Sequence, residues 1–194
     1  MKNKSRSRFA ILGILAQGPC SGYSIKKQIE EKIFNFWHES YGQIYPTLKQ
    51  MHAEGLVTKT TETQAKRPDR HVYAITEAGY DSLREWLRQP VELQPDRIEI
   101  LLKLIFGRQL TPGENIQHLE THRQRMTHTN LFFQQLAKNL GASIPDDPDL
   151  PYYLITLDYG IHTTDAIIRW CGKTIEIFEE LDAEPGSESL PQTA

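Results

Sequence analysis

Across residues 39–57, ESYGQIYPTLKQMHAEGLV, the side chains able to do chemistry fall on separate faces of a helical repeat. Ile44, Leu48 and Met51 share an apolar face that should turn to a core. Ser40, Gln43, Thr47 and Gln50 share a second face, and Tyr41, Tyr45, Lys49 and His52 a third. Those two faces offer hydroxyls, amides and a cation with almost no negative charge. Such groups bond phosphate oxygens and base edges. Soon after, QAKRPDR (64–70) adds Lys66, Arg67 and Arg70. The other reading of each cation is a solvated loop charge, and Asp69 among them weakens the cluster.

Pro46 lies inside this stretch. A proline within a helix loses one hydrogen bond and crowds the carbonyl four residues back, here that of Gly42. Either the first turn is bent, with glycine best able to turn its carbonyl aside, or Pro46 starts the regular helix and 40–45 form a turn before it. Both place Ser40, Tyr41 and Gln43 at the amino end.

Other chemistries find less support. His118 and His122 are four apart and could supply two ligands to zinc, but no third is in sight. A solvated helix face is the simpler reading. HLETH misplaces the glutamate of a zinc-protease helix. There is no glycine-rich phosphate loop and no nucleophile elbow, and nothing around Cys20 or Cys171 marks a reactive thiol. An enzyme is not expected, nor a cofactor or bound metal.

The elements that must position these residues can be read along the chain. A helix over about Ser7–Ala16 is broken by QGPCSG, and Ser21 can cap a second helix carrying Ile25, Ile29 and Ile33. A third helix, about Ser40–Glu54, should stop at Gly55. LVTKTTET (56–63) and HVYAIT (71–76) are β-branched, so 64–70 reads as a long hairpin tip. Thr76 can cap a fourth helix with Tyr80, Leu83 and Leu87 on one stripe. This order is that of a winged helix, in which the helix after the turn enters the major groove and a basic hairpin straddles the neighbouring backbone.

QPVELQP (89–95) reads as a linker. Beyond it the pattern is helical, so the fold class is mostly α. DRIEILLKLIFGRQL (96–110) is apolar nearly all round and should be buried. Thr111, Pro112 and Glu114 open a helix with a capping box, and Leu119, Met126, Phe133 and Leu140 follow at sevens. The last helix, about Pro151–Leu181, carries Leu154, Ile161, Ile168 and Ile175 alternating with Leu157, Thr164, Cys171 and Phe178. A 3.5-residue repeat over four heptads suits a helix–helix seam. A self-associating interface through Leu154, Leu157, Ile161, Ile168, Cys171, Ile175 and Phe178 is expected, with a one-subunit bundle core as the alternative. The expected layout is a DNA-binding domain over 1–89, a linker over 90–96, a helical dimerisation and effector domain over 97–182 and a disordered tail over 183–194.

The bulk numbers agree. The net charge of −3 divides into 14 Lys and Arg against 9 Asp and Glu over residues 1–90, and 8 against 16 over 91–194. A basic front half suits a polyanion. No apolar run is long enough to cross a bilayer. The N-terminus has basic residues before an apolar stretch but lacks a signal-peptide cleavage site. Two isolated cysteines suit a reducing cytoplasm.

YGQIYPTLKQMHAEGLV followed by RPDRHVYAITEAG closely resembles the PadR family of bacterial transcriptional regulators, and LGILAQGPCSGYSIKKQIE resembles that family's first two helices. The resemblance covers about residues 8–88, including the Tyr41–Gly42 pair, the Ile44–Tyr45–Pro46 triplet and Thr76–Glu77–Ala78–Gly79. It implies that Tyr41 and Tyr45 start the recognition helix, with Tyr41 a candidate for phosphate contact, and that Lys66, Arg67 and Arg70 belong to the wing. Residues 91–181 resemble, by pattern and length, the helical carboxy-terminal domain through which long-form members dimerise. Relatives that respond to flat phenolic compounds imply a small aromatic effector. Trp86, Phe132, Tyr152, Tyr153, Tyr159 and Trp170 could line its pocket, and Arg169 or His162 could hold an anionic group. Ordinary packing is the alternative for each aromatic.

The sequence therefore leads to a cytoplasmic, homodimeric DNA-binding regulator, a repressor, on a pseudo-palindromic operator. Ser40, Gln43 and Thr47 are expected at base edges, Tyr41, Lys49 and the wing at phosphates, and Tyr45 beside them at the start of the recognition helix. Two rivals are a winged-helix protein–protein module and a metal-sensing regulator using His118 and His122.

Overall fold

The structure, a computed structural model, describes residues 3–32, 41–64, 67–92 and 97–183. The chain divides into two units, Met1–Leu93 and Gln94–Ala194. The first runs α1 (Asn3–Ala16), β1 (Cys20–Ser21), α2 (Gly22–Lys32), a 3-10 turn (Tyr41–Gln43), α3 (Ile44–Ala53), β2 (Val57–Gln64), β3 (Arg67–Ile75) and α4 (Glu77–Arg88). Ile11, Leu12 and Leu15 from α1, Ile25 and Ile29 from α2, and Ile44, Leu48 and Met51 from α3 are 2% exposed or less. Each such side chain stabilises the fold by about 1.5–3 kcal/mol on leaving water. Three of them fix the rotation of α3, and so decide which of its residues face outward.

The caps fall where the residue types place them. Ser24 N donates to Ser21 Oγ at 3.2 Å before α2. Gly55, at φ +74°, takes the left-handed conformation that ends α3, with Leu56 N donating to Met51 O at 2.9 Å. Thr76 Oγ1 accepts from Gly79 N at 3.1 Å and donates to Gly55 O at 2.7 Å. One hydroxyl thus joins the end of α3 to the start of α4.

The sheet has the order β1-β3-β2, antiparallel throughout. β2 and β3 pair from Val57↔Ile75 to Gln64↔Arg67, with an irregularity between Glu62 and Gln64. The expected long tip over 64–70 is therefore corrected: Arg67 and Arg70 are strand residues. A ladder held by backbone bonds continues without apolar alternation when it is open to water. β1, which pairs Cys20 and Ser21 with Tyr73 and Val72, carries too few residues to show a period.

The second unit runs α5 (Glu99–Ile105), a 3-10 turn (Gly107–Gln109), α6 (Pro112–Ser143) and α7 (Leu150–Ala183). Thr111 and Glu114 form both bonds of the capping box. α6 and α7 pack antiparallel. Leu119 meets Cys171 and Ile175, Asn130 meets Thr164, and Gly160 meets Phe133. A Cβ on Gly160 would lie 2.7 Å from the Phe133 ring, so glycine permits the approach. Asn130 is 5% exposed and fully partnered: its Nδ2 donates to Ile161 O at 3.0 Å and Thr164 Oγ1 at 2.8 Å, and its Oδ1 accepts from Gln134 Nε2 at 2.6 Å.

One expectation for this unit changes. The segment 96–110 was expected to be buried, yet no residue of α5 is. Ile100 and Leu104 pack on the core of the unit, while Leu101, Leu102, Ile105 and Phe106 are exposed. A short helix laid on one side of a helical pair has only that side covered. The α7 stripe is covered in part within the chain. Leu157, Thr164, Cys171 and Ile175 are buried, and α6 covers the last three through Asn130 and Leu119. Leu154, Ile161, Ile168 and Phe178 are half-buried beside them. A 3.5-residue spacing demands a partner helix, and here the same chain supplies it. Ser40, Lys66, linker residues 93–96 and tail residues 184–194 lie outside the described residues.

Candidate nucleic-acid interface

α3 begins at Ile44, and Pro46 is its third residue. Backbone N–H groups in a first turn have no partner within the helix, so a proline there costs no bond. The 3-10 turn over Tyr41–Gln43 precedes it. Pro46 therefore marks the start of a regular helix rather than a bend. The first turn of α3 holds no acidic residue, and no side chain caps it.

With Ile44, Leu48 and Met51 buried, the remaining side chains of α3 turn outward. Tyr45, Lys49 and Gln50 are exposed, and Gln43 and Thr47 half-buried. Lys49 has no acidic partner among the described residues. Tyr45 is 58% exposed, and one edge of its ring rests over Gly22, the first residue of α2. Burial raises the pKa of the Tyr73 phenol, and the nearby Tyr45 adds to the shift. Tyr45 is seated against the start of α2. His52 Nδ1 lies 3.0 Å from Val57 O and so belongs to the helix–sheet junction. Gln50 Nε2 donates to Glu54 at 2.7 Å. Neither is as free as Lys49 or Tyr45. On β3, Arg70 is exposed and pairs across the ladder with Glu62.

Models of two families match the chain in turn. The PadR-like transcriptional regulator family matches residues 11–85, and a model described as the virulence activator alpha C-terminal region matches 97–179. The probable transcriptional regulator Rv1176c of Mycobacterium tuberculosis is 39% identical over 186 residues, spanning 88% of this chain and 96% of its own. The chain belongs to the PadR-like family of transcriptional regulators. A second relative, the negative transcriptional regulator PadR of Bacillus subtilis, is 29% identical over 156 residues, covering 76% of this chain and 84% of that one. Its crystal structure in complex with operator DNA matches at a TM-score of 0.79 and 26% identity, over 88% of this chain and 98% of that one. Its complex with p-coumaric acid matches at 0.73 and 25%, over 89% and 94%.

The aromatics named as candidate effector contacts are divided between the two units. Trp86 belongs to the first unit, where it stacks on Phe9 with ring centroids 4.6 Å apart and planes 4° apart. In the second unit Trp170 packs on the Cys171 core, whereas Phe132, Tyr152 and Tyr159 are exposed. A shallow groove in that unit is lined instead by Ala137, Leu154, Ile155, Asp158 and Ile161. Arg169 faces Asp165 at 3.5 Å and His162 faces Asp158 at 3.3 Å, both on the surface. Burial lowers the pKa of His122, with the Arg125 charge adding to it. Among the described residues no group of three His, Cys, Asp or Glu could hold a metal ion, and no helix is long and apolar enough to cross a membrane. Burial pushes both thiols up, which keeps them protonated and unreactive.

Sequence reasoning missed the seat of Tyr45 on Gly22. The Gly22–Tyr23 pair opening α2 was its only trace, and glycine at a helix start has several explanations.

Proposed function

We propose that this chain is a homodimeric, sequence-specific DNA-binding repressor that acts on a pseudo-palindromic operator and responds to a small aromatic effector. The supporting observation is the outward side of α3: Gln43, Tyr45, Thr47 and Lys49 presented with no acidic residue in the first turn, by a helix whose rotation three buried side chains fix. In this reading Ser40, Gln43 and Thr47 address base edges. Tyr41, Tyr45, Lys49, Lys66, Arg67 and Arg70 address phosphates. Repression follows the name of the B. subtilis relative. Activation is the second reading, favoured by the carboxy-terminal match to a virulence activator region.

Dimerisation has support on a different face from the stripe that α6 covers. Tyr152, Ile155, Tyr159, Ala166, Ile177 and Leu181 form a second stripe on the opposite side of α7. Tyr152 and Tyr159 are each 70% exposed. Tyr152, Tyr159 and Ala166 fall at sevens, and Ile177 and Leu181 return to the same side; an apolar face left open on a helix calls for another helix. A second copy of this chain would cover that stripe and the open side of α5, with Leu154 and Ile161 at the margin. Two recognition helices would then meet half-sites about 10 base pairs apart, or a multiple of that. An effector would act by binding one arrangement of the two heads better than another.

Selection from random duplexes with the full chain tests the DNA reading. Enrichment of a two-fold-related sequence is expected, and Gln43→Ala should relax discrimination at one base position per half-site. Failure to enrich any sequence would favour a protein–protein module instead. Sedimentation tests the interface: Tyr159→Glu with Ile155→Glu should give monomers, whereas an unchanged dimer would move the interface elsewhere.

A further inference from the structure

Glu54 places a carboxylate at the carboxyl end of α3, where the helix dipole disfavours negative charge. Two donors hold it there. Gln50 Nε2 reaches Oε1 from one turn back, and Arg8 Nη2 of α1 reaches Oε2. The Gln50 bond above all, and the Arg8 guanidinium after it, keep this carboxyl below its usual range against the opposing effect of burial. Arg8 is 24% exposed, and its Nε is buried without a partner among the described residues. A buried, unpaired N–H costs about 1–3 kcal/mol. An arginine that carries such a cost is a poor choice for stability alone, so its reach to Glu54 points to a role in placement.

The same turns of α1 hold the segment that follows α4. Arg6 Nη2 donates to Glu92 Oε2 at 2.8 Å, and Phe9 stacks on Trp86 in the last turn of α4. α1 therefore grips both the end of α3 and the residues by which the chain leaves the first unit.

We infer that Arg8 is a positioning residue for DNA reading, acting through Glu54 to set the carboxyl end of α3. This role rests on α3 being the DNA-reading helix. α3 has ten residues and so spans about 15 Å. Its core anchors lie along one side and Thr76 holds Gly55 just past its end, so Arg8 and Glu54 add a second hold on the carboxyl end, from the side of α1. Hydrogen bonds to base edges weaken once donor and acceptor move a few tenths of an ångström beyond about 3.2 Å. A small tilt therefore degrades base reading while long, mobile lysine and arginine side chains still find phosphates.

The test measures affinity for a duplex enriched by the wild-type chain and for a scrambled duplex of equal length, in full-length Arg8→Ala, Glu54→Ala and the double variant. Each single change should reduce the ratio of the two affinities about fivefold, the scale of a weakened base contact. Affinity for the scrambled duplex should be nearly unchanged. The double variant should be no worse than either single, because the two residues act as one unit, and Arg8→Lys should restore part of the ratio. Equal loss on both duplexes, additive with Glu54→Ala, would instead mark Arg8 as a direct phosphate contact and overturn the inference. So would a lower melting temperature with an unchanged ratio. A wild-type chain that enriches no duplex would overturn the reading of α3, and this role with it.

Discussion

Gly22→Ala separates the stability of this domain from its reading of DNA. Gly22 does not have the positive φ that would demand glycine; among the described residues only Gly18 and Gly55 do. What Gly22 provides is room. A Cβ there would lie 2.7 Å from Tyr45 Cε1 and 3.3 Å from Cζ. Carbon atoms prefer about 3.5–4.0 Å, so the ring must retreat by about 1 Å. Tyr45 is 58% exposed and can swing into water at small cost. Alanine also favours the helix over glycine by up to about 1 kcal/mol. The melting temperature of Gly22→Ala should therefore stay within a few degrees of wild type, in either direction. DNA affinity should fall. If the Tyr45 hydroxyl bonds a phosphate, the bond contributes about 1.5–3 kcal/mol, so its loss weakens binding about tenfold or more per subunit. Thermal melts and fluorescence anisotropy on an enriched duplex measure the two effects, with Tyr45→Phe as the reference for the hydroxyl alone. Wild-type affinity in Gly22→Ala would refute the reasoning, since the ring cannot stay where it is.

Three further outcomes follow from named contacts. Lys49→Ala and Arg70→Ala should each weaken binding to all sequences alike and make the slope of log affinity against log salt shallower by about 0.9; an unchanged slope would remove that residue from the phosphate set. Glu54 titrates below its ordinary value of 4.5, so its grip by Gln50 and Arg8 contributes stability above about pH 4.5 and loses it as pH falls through the lower folded value. The stability gap between wild type and Glu54→Gln should accordingly be present at neutral pH and close in urea titrations carried below the lowered folded value. Asn130→Ala should cost about 1–3 kcal/mol, because it strips partners from Thr164 and Gln134 inside the α6–α7 seam; a loss within a few tenths of a kcal/mol would mean that water replaces the amide.

The orientation of α3 could be read from Ile44, Leu48 and Met51 alone, because spacings of four and three leave one possible inner face. Thr76, and Thr111 with Glu114, marked helix starts because a hydroxyl three residues before an amide has one local use. What could not be read depends on distant partners. Nothing in the pattern links Arg8 to Glu54, 46 positions apart. α7 carries apolar residues on opposite sides, and periodicity reports the spacing of a stripe but not which chain covers it. For the same reason the all-round apolarity of 96–110 suggested burial, although the surrounding elements cover only Ile100 and Leu104. The two-residue strand at Cys20 exists only through its pairing with β3.

Hydroxyl-radical footprinting of the full chain on an enriched duplex tests most directly whether the outward side of α3 reads DNA as a pair. Two protected blocks should appear one helical turn, about 10 base pairs, or a multiple of that apart, and both should fade together as salt rises. A single block, or binding that salt leaves untouched, would contradict the account.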